Sequence, residues 1–299
     1  MIDDKNLLVC PECKGSLDKI TEGLSCSACS QEFSIIRGVP RFVLDDKYVG
    51  NFSFEWNIHR STQIDDDDFT DSTEFFNLRF GKEKSFWKDK KVLDVGIGVG
   101  RYAKVALNMG AKVTGIDLSY SIDVAGENLR GYENYEGVQA DLFALPFADE
   151  SFDVIYSFGV LHHTPDPKRA FEGLLRLLKP GGIICITVYE DRGMYHSSRY
   201  LRKLTTKLPP VFLYPLCVIY TSIMYVPYRY LGFRYGILGR FAPISLSSSF
   251  KEAILDTFDC YSPQYQFTYS DYDIFCWYKE NKLNDIEIRP QPVTVLGKR

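Results

Sequence analysis

The run Val92-Leu93-Asp94-Val95-Gly96-Ile97-Gly98-Val99-Gly100-Arg101 decides how the chain is read. A short apolar segment, suited to a buried strand, runs into three glycines spaced two apart. Beyond them Ala103, Ala106, Leu107 and Gly110 recur at i, i+3, i+4 and i+7, a helix face ended by glycine. Strand, glycine turn and helix form the first half of a Rossmann-like unit. A second strand, KVTGI, ends in Asp117. An acid about 20 positions past such a loop is where a ribose diol is bound. Dinucleotide loops read G-x-G-x-x-G, so that a helix N-terminus faces a pyrophosphate. This loop reads G-x-G-x-G and is preceded by Asp94. A carboxylate there repels a pyrophosphate and favours a cation. S-adenosylmethionine supplies a sulfonium and an ammonium on an adenosine, and glycines let the backbone close over its methionine part.

VLDVGIGVGR, VTGIDLS, ADLFALPF, FDVIYSFGVLHHTPDP and LLRLLKPGG follow one another between residues 91 and 190. In that order they resemble the class I S-adenosylmethionine-dependent methyltransferases, above all the group that includes ubiquinone and menaquinone C-methyltransferases. The departure is Ile97, where cysteine or alanine is usual. The resemblance implies that Gly96, Gly98 and Gly100 line the methionine moiety and that Asp117 takes the ribose hydroxyls. It further implies that Leu118 packs on adenine, that Asp141 accepts from the adenine amino group, and that Ser157 sits near the carboxypropyl part. For Asp94 it implies an ion pair or water bridge near the ammonium. A turn residue is the alternative for Asp141.

Cys10-Pro-Glu-Cys13 and Cys26-Ser-Ala-Cys29 are two CxxC pairs separated by twelve residues. Four thiolates so spaced suit one tetrahedral zinc ion in a closed, structural site. Disulfides would need an oxidising compartment. The stretch CPECKGSL to GVPRF resembles, over about residues 7–44, the N-terminal zinc ribbon of some bacterial rRNA guanine methyltransferases. It is also similar to the small zinc-ribbon subunit that activates several eukaryotic methyltransferases.

Phe52 and Trp56 lie at i and i+4, one helix face, and serve either as core or as a cover over the cofactor. The acids Asp65 to Asp68 read as a solvated loop. Val154–Ser157 reads as a strand, Asp166 and Pro167 as N-cap and first position of the next helix, and Phe171, Leu174, Leu175 and Leu178 as its buried face, closed by Gly181. Between strand and helix, GVLHHTP puts His162 and His163 at the carboxyl edge of the sheet. Methyl transfer depends mainly on positioning, and a base matters only for a protonated nucleophile. The two histidines are therefore candidates for a base, or else packing and capping groups. There is no Asn/Asp-Pro-Pro-Tyr motif after this strand, which speaks against amino or amide methylation of a base or glutamine.

A fifth strand spans Gly182 to Tyr189; about seventy residues rich in Tyr, Phe, Leu, Pro and Arg then intervene. A helix over Tyr269–Lys279 and a hairpin of Asp285–Arg289 with Val293–Gly297 return the chain to the sheet. The insertion reads as a lid over an apolar, aromatic or prenylated acceptor. Tyr261, Tyr265 and Asp259 are candidate acceptor contacts or a structural turn. Residues 208–228 carry no charge but include four prolines. They read as a buried lid, an oligomer interface or a membrane-surface segment rather than a bilayer span. The flanking Arg199, Arg202, Lys203, Lys207, Arg229 and Arg234 suit anionic headgroups or an anionic substrate.

The expected fold is α/β: a Rossmann-like seven-stranded methyltransferase sheet with a small N-terminal four-cysteine zinc ribbon and a largely helical lid insertion. The expected segments are 1–44 (ribbon), 45–90 (linker and helices), 91–190 (core), 191–265 (lid) and 266–299 (completion of the core). The acidic N-terminal stretch carries no apolar leader, and the remaining cysteines, Cys185, Cys217, Cys260 and Cys276, read as reduced residues of a cytosolic protein. Peripheral contact with the inner face of a membrane is an added expectation. The net charge of −4 argues against a phosphate backbone as main partner. The expected function is transfer of a methyl group to oxygen or carbon of a small-molecule or lipid-like acceptor. The alternatives are an rRNA or tRNA methyltransferase that grips nucleic acid by the ribbon, and a non-catalytic assembly protein that binds the cofactor.

Overall fold

The computed structural model describes residues 7–43, 50–60, 64–65, 70–232, 236, 239, 241–247, 249–291 and 293–299. The chain opens with four short antiparallel strands, β1 (Leu17–Ile20), β2 (Gly23–Cys26), β3 (Glu32–Ile36) and β4 (Val39–Pro40), in one sheet. Helices α1 (Gly50–Ile58), α2 (Asp71–Phe80) and α3 (Lys84–Trp87) follow. The central layer alternates β5 (Lys91–Val95), α4 (Arg101–Asn108), β6 (Lys112–Asp117), α5 (Ser121–Asn128), β7 (Tyr135–Gln139), β8 (Phe152–Phe158), α6 (Pro167–Leu175) and β9 (Leu178–Thr187). Then come α7 (Gly193–Ser197), α8 (Arg199–Thr205), α9 (Pro210–Tyr230), α10 (Phe250–Tyr261), α11 (Asp271–Glu280), β10 (Asn284–Ile288) and β11 (Thr294–Lys298).

The seven-stranded sheet has the order β10-β11-β9-β8-β5-β6-β7. Strands β5 to β9 are parallel, which is why Val92, Leu93, Val154, Ile155, Ile184 and Ile186 are all fully buried: helices cover both faces. β11 slots in antiparallel beside β9, with Val295 opposite Ile186. β5 starts the fold and lies between β6 and β8, so chain direction across the sheet reverses there, the usual position of a ligand crevice.

Asp166 does cap α6, its carboxylate accepting from Arg169 N at 3.1 Å. But α6 ends at Leu175, and Leu178 already begins β9, so Gly181 lies inside a strand and not at a helix end. The returning helix starts two residues later than the sequence suggests, at Asp271, because Ser270 and Asp273 form a reciprocal capping box. Asp65 is no solvated loop residue. Its carboxylate accepts from Ser72 N (2.9 Å), Thr73 N (2.8 Å) and Thr73 Oγ1 (2.7 Å), satisfying the free N–H groups at the start of α2. Asp66–Asp68 lie outside the described residues.

The ribbon is docked on the edge of the large sheet. Val9 N donates to Pro146 O, Ala148 N to Leu7 O, and Phe42 N to Gln139 O at the end of edge strand β7. Arg41 is buried against the same edge, paired with Asp123 at 2.5 Å. An exposed strand edge is thereby covered.

The insertion is helical, as expected, but residues 208–228 are neither broken by their prolines nor a buried lid. Helix α9 runs unbroken through Pro215 and Pro227. Its buried residues are Leu213, Cys217, Thr221 and Tyr228; Tyr228 donates to Ala242 O at 2.8 Å. Leu213 and Cys217 pack with Phe258, Cys260 and Tyr261 of α10. The opposite face is exposed.

Candidate active site

Gly96, Gly98 and Gly100 have φ of 74°, 54° and 88°, the left-handed region that glycine enters without strain. A Cβ on Gly96 would lie 2.3 Å from Val160 Cγ2, so the first glycine is also required sterically. The Gly96 and Ile97 amides both donate to Ile116 O, at 2.8 and 2.9 Å, which holds the turn to the neighbouring strand. The unusual Ile97 is accommodated by β6: a Cβ on Gly115 would be 2.2 Å from Ile97 Cδ1.

Asp117 ends β6 with both carboxylate oxygens oriented. Oδ1 accepts from Ser119 N (2.8 Å) and Oγ (2.7 Å), and Oδ2 from Gly98 N (3.0 Å). Burial raises its pKa against these bonds. Asp94, 4% exposed, accepts from Tyr156 OH at 2.8 Å, and burial pushes its pKa up to about 7. A buried carboxyl in that state is short of positive charge, the condition a cationic ligand relieves.

These groups open onto one cavity of about 580 Å³, a volume within the range of small-molecule sites. One end is lined by Asp94, Gly96, Gly98, Asp117 and Leu118. The same cavity is lined further along by Phe52, Glu55, His163, Tyr189 and Tyr195, with Asp256 and Asp259 of α10, and by Trp56 next to the loop. The predicted helix-face pair thus both reach the cavity, and the Trp56 indole covers the loop, 3.5 Å from where a Gly98 Cβ would stand.

Of the two histidines only His163 lines the cavity. Its Nδ1 lies 2.9 Å from Tyr265 O. A carbonyl only accepts, so Nδ1 carries the proton and Nε2 presents a bare lone pair. Burial brings the His163 pKa down to about 3, leaving the ring neutral. His162 is fully buried behind it, tilted at 38° against Tyr189 with ring centroids 3.8 Å apart. It is a packing group, against the expectation of a base.

The far end is rich in hydrogen-bond acceptors that lack donors. Glu55 is 1% exposed, and its Oε2 has no partner among the described residues, nor does His163 Nε2. Burial first, then Asp259 and Asp256, raise the Glu55 pKa well above the usual range. Burial likewise lifts Asp259 and Asp256 to about 6. Tyr189 OH donates to Asp259.

Several predicted contacts lie elsewhere. Gly100 is the N-cap of α4, where a Cβ would come 2.9 Å from Leu129 Cδ1. Ser157 sits inside β8, its hydroxyl donating to Val95 O at 3.3 Å; Phe158, Gly159 and Val160 line the cavity in its place. Asp141 accepts from Phe143 N at 2.9 Å, while its neighbours Ala140 and Leu142 form the wall. Tyr261 is 2% exposed and donates to Pro243 O at 2.6 Å, and the Tyr265 carbonyl accepts from His163 Nδ1. Asp259 alone of those three lines the cavity. Sequence reasoning missed Glu55, although it shares the face of Phe52 and Trp56 at i+3. It missed Tyr189, which the carboxyl-edge rule at the end of β9 would have found, and Arg79, Arg101 and Asp256, which carried no local signal.

In the ribbon, the Cys10, Cys13, Cys26 and Cys29 sulfurs all lie within 4.8 Å of one another. Cys10–Cys29 and Cys13–Cys26 are 3.7 and 3.4 Å apart, close to the ~3.8 Å edge of a tetrahedron with Zn–S bonds of about 2.3 Å. The Cys29 backbone N–H points at the Cys26 sulfur and brings that thiol down to about 6, favouring the thiolate that zinc binds. All four positions fit a structural zinc ion. Among the described residues no other cluster of three or more ligating side chains is close enough to share an ion.

Residues 93–186 match the family model of a methyltransferase domain, and residues 6–38 match that of Trm112p-like proteins. Cycloartenol-C-24-methyltransferase 1 of Oryza sativa subsp. japonica is 37% identical over 108 residues, covering 33% of this chain and 30% of the relative. Demethylmenaquinone methyltransferase of Clavibacter sepedonicus is 38% identical over 99 residues, 32% of this chain and 40% of the relative. Among solved structures, phosphoethanolamine N-methyltransferase 2 of Haemonchus contortus with S-adenosyl-L-methionine has 22% identity and a TM-score of 0.45, over 81% of this chain and 43% of that one. The chain spans less than half the length of each. The chain therefore carries a methyltransferase domain over residues 93–186, with a Trm112p-like zinc-ribbon region over residues 6–38 on its N-terminal side.

Proposed function

We propose that the chain methylates a small-molecule or lipid-like acceptor held at the lid end of the cavity. The observation that carries this reading is the continuity of the 580 Å³ cavity from the glycine loop to α10. Donor and acceptor share one chamber of small-molecule size. S-adenosylmethionine, when bound, supplies a methyl group made electrophilic by its sulfonium. The residues of the chain do the rest. Asp117 and the Gly98 amide hold the ribose side, and Asp94 faces the cationic part. Phe52, Trp56 and the lid exclude water. The bare Nε2 of His163 accepts a hydrogen bond from the acceptor X–H and orients it, and the ionised Asp259 beside it takes the proton.

A second reading differs in the acceptor atom. Glu55, Asp256 and Asp259 crowd one end without a shared-ion geometry, and Tyr189 and Tyr195 stack beside them at 3.5 Å. Carboxyl groups and aromatic faces together suit an organic cation, so on this reading an amine binds as its ammonium, gives its proton to Asp259, and is then methylated on the freed nitrogen lone pair.

The test is incubation with methyl-labelled donor and fractionated extract, after calorimetry has established donor binding. Label in a lipid or small-molecule fraction is expected. Label in RNA would replace the acceptor class. Donor binding with no labelled fraction would favour the assembly role.

A further inference from the structure

Helix α9 is apolar along its whole length and turns one apolar face to solvent. Val211, Phe212, Leu216, Ile219, Ile223, Val226 and Tyr230 are each more than half exposed, from 53% to 71%. The buried face meanwhile carries Cys217, Thr221 and Tyr228. The outward residues 212, 216, 219, 223, 226 and 230 are spaced four and three apart, one unbroken stripe along a 21-residue helix. Leu204 and Leu231, both 66% exposed, extend it at either end. Scattered apolar residues on a surface need no explanation, but a contiguous stripe of this length marks an interaction site.

Charge identifies what it meets. From residue 192 to 251 there are nine Lys and Arg and not one Asp or Glu, in a chain whose net charge is −4. Lys203 and Lys207 are exposed just before α9, and Arg229 is exposed in its last turn. A second copy of the chain is a poor occupant. Pairing α9 with itself brings basic ends together whether the helices run parallel or antiparallel. A bilayer span is excluded by the other face, where Leu213, Cys217 and Tyr228 are committed to α10 and to Ala242 O. We infer that α9 lies in the plane of an anionic lipid bilayer, its outer stripe sunk among the upper acyl chains and Lys203, Lys207 and Arg229 at the headgroups. This is the behaviour of a monotopic amphipathic helix. Tyr230, at the end of the stripe, suits the headgroup level. The inference goes beyond methyl transfer and does not depend on it.

The experiment is co-flotation of the full chain with phosphatidylcholine vesicles, with and without 30% phosphatidylserine, in the absence of any methyl donor. Binding to the anionic vesicles is expected, falling as salt is raised. The double variant Ile219→Glu/Ile223→Glu should lose it at least tenfold. Lys203→Ala and Lys207→Ala should each weaken it about fivefold. These side chains face outward, and unchanged circular dichroism and S-adenosylhomocysteine affinity confirm that the variants fold. No flotation with either vesicle would overturn the inference. So would a dimer in sedimentation that Ile219→Glu dissolves, because a second copy would then own the stripe.

Discussion

His163 Nε2 lies 4.0 Å from Asp259 Oδ1, with Nδ1 of the same ring fixed on Tyr265 O at 2.9 Å. Both groups line the cavity, so two neighbouring proton acceptors stand on one part of its wall once Asp259 is ionised. Asp259 is the group that titrates near neutrality, since its carboxyl is raised to about 6 by burial while His163 is lowered to about 3. Turnover should rise with pH through about 6 as Asp259 ionises, then level off. Asp259→Asn should flatten that limb of the profile. His163→Ala should lower kcat by about 10²–10⁴ with donor affinity unchanged, as measured by initial rates and calorimetry.

If Asp94 faces the donor's cation as proposed, donor affinity should depend on pH. Its folded carboxyl is raised to about 7, above the unfolded value, so the free protein loses stability as pH rises from about 4 through 7. A cation beside it favours the ionised form. Affinity for S-adenosylmethionine should therefore increase with pH up to about 7, with proton release on binding. Calorimetry in buffers of different ionisation enthalpy reads that release directly, and Asp94→Asn should remove it.

Asp117→Ala takes away the acceptor oxygens beside Gly98. Donor binding should weaken by about 1–3 kcal/mol, the scale of hydrogen bonds to an ionised group. Because Ser119 and Gly98 lose a shared partner as well, the variant should be compared with Asp117→Asn, which keeps one acceptor oxygen. Unchanged affinity in both would remove Asp117 from the ribose site.

Gly115 and Ile97 form a matched pair. Gly115→Ala places a methyl group 2.2 Å from Ile97 Cδ1, so it should destabilise the protein by about 1–3 kcal/mol through overpacking. Ile97→Ala opens that space, and the double variant should recover most of the loss. Denaturant midpoints of the four proteins in the cycle measure the coupling.

Chelation should act on more than the ribbon. Four thiolates stabilise a fold of barely forty residues, which has little core of its own. Losing it uncovers β7, Gln139 and the Arg41–Asp123 pair. Strong chelators, or Cys26→Ser, should lower the thermal midpoint of the whole chain by several degrees in scanning calorimetry, and zinc should restore it after chelation.

The glycine-loop part of the cavity was legible because it is local. Asp94, Gly96, Gly98, Asp117 and Leu118 sit at the carboxyl ends of two adjacent strands, and strand periodicity with glycine spacing places them. The four cysteines were legible for a similar reason. The rest of the cavity draws on segments about two hundred residues apart, Glu55 on α1 and Asp256 and Asp259 on α10, which only the folded chain brings together. Neighbouring residues also diverged. His162 and His163 share a single 3₁₀ turn, so one ring enters the cavity and the other the core. Proline in 208–228 suggested interruption, but Pro210 falls in the first turn, where no N–H is needed, and Pro215 and Pro227 are carried inside a continuous helix.

Covalent attachment changes what the ribbon can do. Joined through residues 44–49, it meets β7 at an effective concentration that no dilution can lower, so the complex has no dissociation constant to be outcompeted. Only metal loss or unfolding releases that edge. Zinc held by the ribbon should then stabilise the large sheet as well as the ribbon itself.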